Sequence, residues 1–93
     1  ILDDSKSFLE ISESNVILST MKLSDDKKDI ILRVYETEGK KTLTKIKLAG
    51  TIINAKLIDF LETEIQEIKD IEKDTISIDI DPFKIITLKI RLN

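Results

Sequence analysis

The sequence predicts an all-β fold, an antiparallel β-sandwich of about seven short strands. Three observations lead there. Apolar and polar residues alternate at period two through most of the 93 residues. These runs recur about every 8–12 residues and are separated by polar or glycine-containing turns. The closing stretch, "DPFKIITLKIRL", places Ile86, Leu88, Ile90 and Leu92 on one face and Ile85, Thr87, Lys89 and Arg91 on the other.

The elements follow in order. "SFLEIS" puts Leu9 and Ile11 on one side. "NVILSTMKLS" offers either Val16, Leu18 and Thr20 or Ile17, Met21 and Leu23 as its inner set, with both faces partly apolar. Ser24 to Asp29, "SDDKKD", is a polar hairpin loop. "IILRVYE" sets Ile30, Leu32 and Val34 against Ile31, Arg33 and Tyr35, and Gly39 serves the next turn. In "TLTKIKL", Thr44, Ile46 and Leu48 share a face, while Leu43 is out of step and suggests a bulge.

Beyond Gly50, "INAKLIDFLE" continues as a strand, with Ile58 and Phe60 on one side and Leu57 on the other. "DTISIDID" alternates through Ile76, Ile78 and Ile80, and Pro82 breaks the ladder before the last strand. One stretch disagrees with period two. Leu61, Ile65 and Ile68, with interleaved Glu and Lys, stand at helical spacing. Thr63 to Ile71 therefore reads equally as a helix of about two to three turns or as a short edge strand or irregular link leading into the Ile76 strand.

Composition bounds the chemistry. Residues 1–93 suffice for one domain, which buries roughly 60–65% of its unfolded surface. A net charge of −3, with both signs interspersed, gives no basic footprint for nucleic acid. No apolar run reaches the roughly 20 residues of a membrane-spanning helix, so no membrane partner is expected. The first residues lack a leader pattern and there is no cysteine, which makes a cytoplasmic setting the expectation. The absent initiator Met suggests a fragment or a processed chain.

No His and no Cys means no imidazole base, no thiolate nucleophile and no His- or Cys-bound zinc. Two glycines cannot build a phosphate-cradling loop. Asp25, Asp26 and Asp29 share a loop without the spacing of a Ca²⁺ motif, and read as a solvated hairpin tip. Asp79 and Asp81 lie on the outward side of a strand beside Asp74, the wrong environment for an acid of raised pKa. We therefore expect no catalytic and no metal residue in this chain. Phe8, Phe60 and Phe83 belong to apolar strand patterns and are expected in the core, leaving Tyr35 as the aromatic for an exposed face.

That face supplies the candidate site. Ile17 and Met21 on one strand, with Ile31, Arg33 and Tyr35 on the next, would make the second side of this hairpin partly apolar. A sandwich normally wets its outer faces, so a contiguous apolar patch there marks a domain interface.

The order of these pieces carries a resemblance. "VILSTMKLSDDKKDIILRVYETEGK", then "LIDFLE", then "DPFKIITLKI" resembles the extreme C-terminal β-domain of glycoside hydrolase family 38 α-mannosidases. The features are an apolar strand ending in Lys22, an acidic turn, the Leu32-Arg33-Val34-Tyr35-Glu36 strand with Gly39, Leu61-Glu62, and Pro82-Phe83 with Ile85 and Thr87-Leu88. The resemblance runs from Val16 onward. It implies a β-sandwich at the end of a multidomain enzyme that hydrolyses terminal α-mannosides with retention.

In that family the zinc ligands and the Asp nucleophile lie in an N-terminal barrel, and none has a counterpart here. The implied cofactor is thus none for this chain and zinc for the catalytic domain, and the implied partners are the remaining domains of the same enzyme. Lys84 departs from the Glu often found after Pro-Phe, which puts any structural role of that Glu in doubt. The resemblance also tips residues 63–71 towards extended structure. The alternative is a free-standing immunoglobulin-like or carbohydrate-binding interaction module.

Overall fold

The closing stretch forms a central strand. In a computed structural model, which describes residues 9–24, 27–59, 61 and 63–93, the described residues make nine strands and no helix. They are β1 (Leu9–Ile11), β2 (Val16–Leu23), β3 (Ile30–Glu36), β4 (Thr42–Leu48), β5 (Ile52–Ile58), β6 (Glu64–Glu67), β7 (Ile71–Glu72), β8 (Thr75–Ile80) and β9 (Ile85–Leu92). A four-stranded sheet runs β1-β4-β8-β7 and a five-stranded sheet runs β2-β3-β9-β5-β6. Every pairing is antiparallel. The all-β sandwich is as the sequence predicts.

Inner faces meet as the alternation requires. Leu9, Ile46, Leu48, Ile76 and Ile80 from one sheet pack with Val16, Leu32, Val34, Ala55, Leu88 and Ile90 from the other. Each buried aliphatic side chain of this size contributes about 1.5–3 kcal/mol relative to exposure. The two sheets are tied at one end by the β7–β8 turn. Leu48 N–H donates to the Asp74 carbonyl at 2.8 Å, and Ile52 N–H donates to the Lys73 carbonyl at 2.7 Å.

One open alternative is decided and three expectations are corrected. Residues 63–71 form no helix: β6 is an edge strand on β5, and Ile68 N–H donates to the Ala55 carbonyl at 2.9 Å. Only Ile68 of the three helically spaced apolar residues is buried, while Leu61 and Ile65 face solvent, so a helix would have had no stripe to bury. The strand count rises from about seven to nine because that stretch supplies β6 and β7.

There is no bulge at Leu43, which points outward in an unbroken register. The irregularities fall instead between Leu18 and Thr20, between Ile52 and Asn54, and between Leu57 and Ile58. Phe83 is not in the core but 69% exposed, because its backbone sits at φ 58 in the turn before β9. Phe8 and Phe60 lie outside the described residues, as do Asp25 and Asp26.

One core position is imperfect. Thr44 is fully buried opposite Ile78, and its Oγ1 has no hydrogen-bond partner among the described residues. An unsatisfied buried hydroxyl is costly, and valine has nearly its shape. Thr44→Val should raise the stability of the domain by about 1 kcal/mol. Urea unfolding with an unchanged m-value is the measurement, and a loss of stability would refute it.

Candidate domain interface

The second side of the β2–β3 hairpin is governed by the bulge at Ser19. Before it Ile17 pairs with Tyr35; after it Thr20 pairs with Arg33, Met21 with Leu32 and Lys22 with Ile31. Directly paired residues share a face, so Ile17, Thr20, Lys22, Ile31, Arg33 and Tyr35 stand on the outer side. Met21 is turned inward with Leu32 and packs against the core. This corrects its assignment to the outer face: the extra residue reverses parity part-way along β2.

Ile31 does share the face of Arg33 and Tyr35, but it is only 2% exposed. It lies in an inner strand with Lys22 on one side and Lys89 on the other. It therefore offers no surface to a partner. Arg33 and Tyr35 are half-buried and Ile17 is exposed. Arg33 Nε donates to Thr87 Oγ1 of β9 at 3.3 Å.

The register adds a residue that the sequence reading missed. Tyr35 pairs with Ile17 of β2 on one side and with Ile85 of β9 on the other. Ile17, Tyr35 and Ile85 thus form one row across three adjacent strands, and Ile85 is 63% exposed. The sequence placed Ile85 on the outer set of β9, but only the strand order β2-β3-β9 brings it beside Tyr35. Phe83, two residues before Ile85, is also exposed.

Phe83 is held by a buried carboxylate. Leu32, Val34 and Glu36 share the inner parity of β3, and Glu36 is 1% exposed. Its Oε1 accepts the N–H of Gly39 at 2.7 Å and of Phe83 at 2.9 Å. Its Oε2 accepts from Asn15 Nδ2 at 2.7 Å and from Glu38 N–H at 2.8 Å. Burial by itself raises the pKa of this carboxyl, but the donors from Phe83, Asn15, Glu38 and Gly39 outweigh it and hold it down at about 2. Asn15 Nδ2 also donates to Thr42 Oγ1, at 2.8 Å. One side chain thereby joins the start of β2, the β3–β4 turn and the turn before β9. Lys84 takes part through its backbone, its carbonyl accepting Glu36 N–H at 3.0 Å, and its own side chain is exposed.

This arrangement is a clamp and not acid–base machinery. A carboxyl held at about 2 and filled by four donors is a poor proton carrier near neutral pH. The other acids among the described residues are similarly occupied or exposed. Asp29 accepts from Arg91 Nε at 2.8 Å and lies 3.9 Å from Lys89 Nζ, while Asp79 and Asp81 face solvent. A groove of about 430 Å³ opens at the sandwich edge between Leu57, Ile78 and Ile86, and its acids, Asp70 and Asp79, are exposed. The donor set does not fit zinc: there is no imidazole or thiolate, and no three carboxylates converge among the described residues.

The model of the glycosyl hydrolases family 38 C-terminal beta sandwich domain matches residues 15–88. The chain belongs to this family. The match begins at the clamp residue Asn15 and takes in Glu36, Gly39, Phe83 and the whole Ile17–Tyr35–Ile85 row. A search of curated proteins gave no match.

Proposed function

We propose that this family 38 sandwich is the non-catalytic C-terminal domain of an α-mannosidase, and that it packs on the remaining domains of the same polypeptide. The observation that carries the reading is the apolar row Ile17–Tyr35–Ile85 on the outer face of the five-stranded sheet, with Ile17 and Ile85 exposed and Tyr35 half-buried. A solvated sheet face has no use for it, and covering it is what an interdomain contact does. The chemistry is assigned to the other domains, which would hold the zinc and the nucleophile, and the whole enzyme is placed in the cytoplasm.

The test uses the native polypeptide. Immunoprecipitation with an antibody to this domain should recover a species many times heavier than 10.6 kDa that hydrolyses an aryl α-mannoside. That activity should fall on zinc chelation. A species near 10.6 kDa, or a large one inert towards α-mannosides, would overturn the reading.

A further inference from the structure

The apolar row is bordered by cations. Two residues along β3 from Tyr35 stands Arg33, and two further stands Ile31 with Lys22 beside it on β2. Rows two residues apart on a strand are about 7 Å apart. Other cations of this face are matched: Lys56 Nζ lies 3.5 Å from Glu64 Oε1, and Arg91 and Lys89 meet Asp29. Lys22 and Arg33 meet no carboxylate among the described residues; Arg33 has only the neutral hydroxyl of Thr87. This positive edge belongs to a chain whose net charge is −3.

A specific interface buries about 800 Å² on each partner, far more than three side chains. A surface that covers Ile17, Tyr35 and Ile85 therefore also covers Arg33 and reaches Lys22. Removing a guanidinium from water without a counter-charge is strongly unfavourable. The covering surface must bring the carboxylates that Arg33 and Lys22 lack among the described residues.

We infer that the surface covering this face is an apolar patch flanked by acidic side chains, carried by another domain of the same polypeptide, with its carboxylates paired to Arg33 and Lys22. The inference rests on the docking role proposed above and adds the chemistry of the partner. Charge gives the contact its register, and the apolar row supplies the buried centre.

The experiment uses the full-length enzyme and follows release of the domain by limited proteolysis at 50 and 500 mM salt. Arg33→Glu and Lys22→Glu should each speed cleavage at the domain boundary at least 10-fold at low salt. Arg33→Lys and Lys22→Arg should leave it within 2-fold. The wild type should be cleaved faster at high salt. Lys45→Glu, outward on the opposite sheet, is the control and should have no effect. If Ile85→Asp and Ile17→Asp release the domain but the charge reversals do not, the acidic partner is refuted while docking stands. Release by Lys45→Glu as well would also refute it. If neither the apolar nor the charged variants release the domain, the docking role itself fails.

Discussion

Glu36→Ala should abolish most of the stability of this domain, and Glu36→Gln should lose nearly as much. The residue is buried on the core face of β3 and accepts from four donors in three segments. Alanine leaves the N–H groups of Glu38, Gly39 and Phe83 and the amide of Asn15 facing an empty space. Glutamine keeps the volume but brings its own NH₂ against donors, so at least one contact becomes donor to donor. Breaking a buried charged cluster by removing one member is among the costliest single changes. We expect the melting temperature of Glu36→Ala to fall by at least about 10 °C. A fall of only a degree or two would show that the clamp is incidental.

The same group sets an acid limit. Its folded pKa, about 2, lies below the ordinary glutamate value of 4.5. A carboxylate depressed on folding stabilises the fold above its unfolded pKa, and this contribution is lost as pH falls towards the folded value. Wild-type stability should therefore drop between pH 4.5 and 2, and Glu36→Gln should show a flatter profile across that window. Denaturant titrations at pH 7, 4 and 2.5 measure it. Parallel profiles for the two proteins would assign the acid sensitivity elsewhere.

How far the sequence reaches is clearest in β3 and β9. Their alternation put Leu32, Val34, Leu88 and Ile90 inside correctly, because in a sandwich core that parity fixes the buried face. In β2 the same logic fails at Ser19. A bulge adds one residue without any mark in composition, so Met21 was placed outside when it lies inside. The stretch 63–71 stayed open for a different reason: a spacing typical of helices is also available to an edge strand, and pairing with β5 decided it. The interface was half legible. Tyr35 and Ile17 could be read from one hairpin, whereas Ile85 joins them only through the long-range β3–β9 pairing. Glu36 did carry a signal, since a carboxylate in step with Leu32 and Val34 has to be buried and therefore has to be paired.

Gly39→Val should cost about 1.5–3.5 kcal/mol, and the loss should divide into two separable parts. Gly39 has φ +77, where a β-branched residue is a steric outlier; that part is about 1–2 kcal/mol. A Cβ at this position would also stand 2.6 Å from Cε2 and 2.8 Å from Cζ of Phe83. The Phe83 backbone is pinned by its N–H to Glu36, so the exposed ring must swing away, at an off-rotamer cost of about 0.5–1.5 kcal/mol. Phe83→Ala removes the obstacle and leaves the backbone cost. The double variant Gly39→Val, Phe83→Ala should therefore recover about 0.5–1.5 kcal/mol relative to the sum of the single losses. Asparagine accepts the left-handed region more readily, so Gly39→Asn should show a smaller backbone part with the same coupling to Phe83. Additive losses would mean that the exposed ring moves freely. Phe83 would then be a loose side chain near the interface, not an aromatic ring that the Glu36 clamp and Gly39 hold in place beside Ile85.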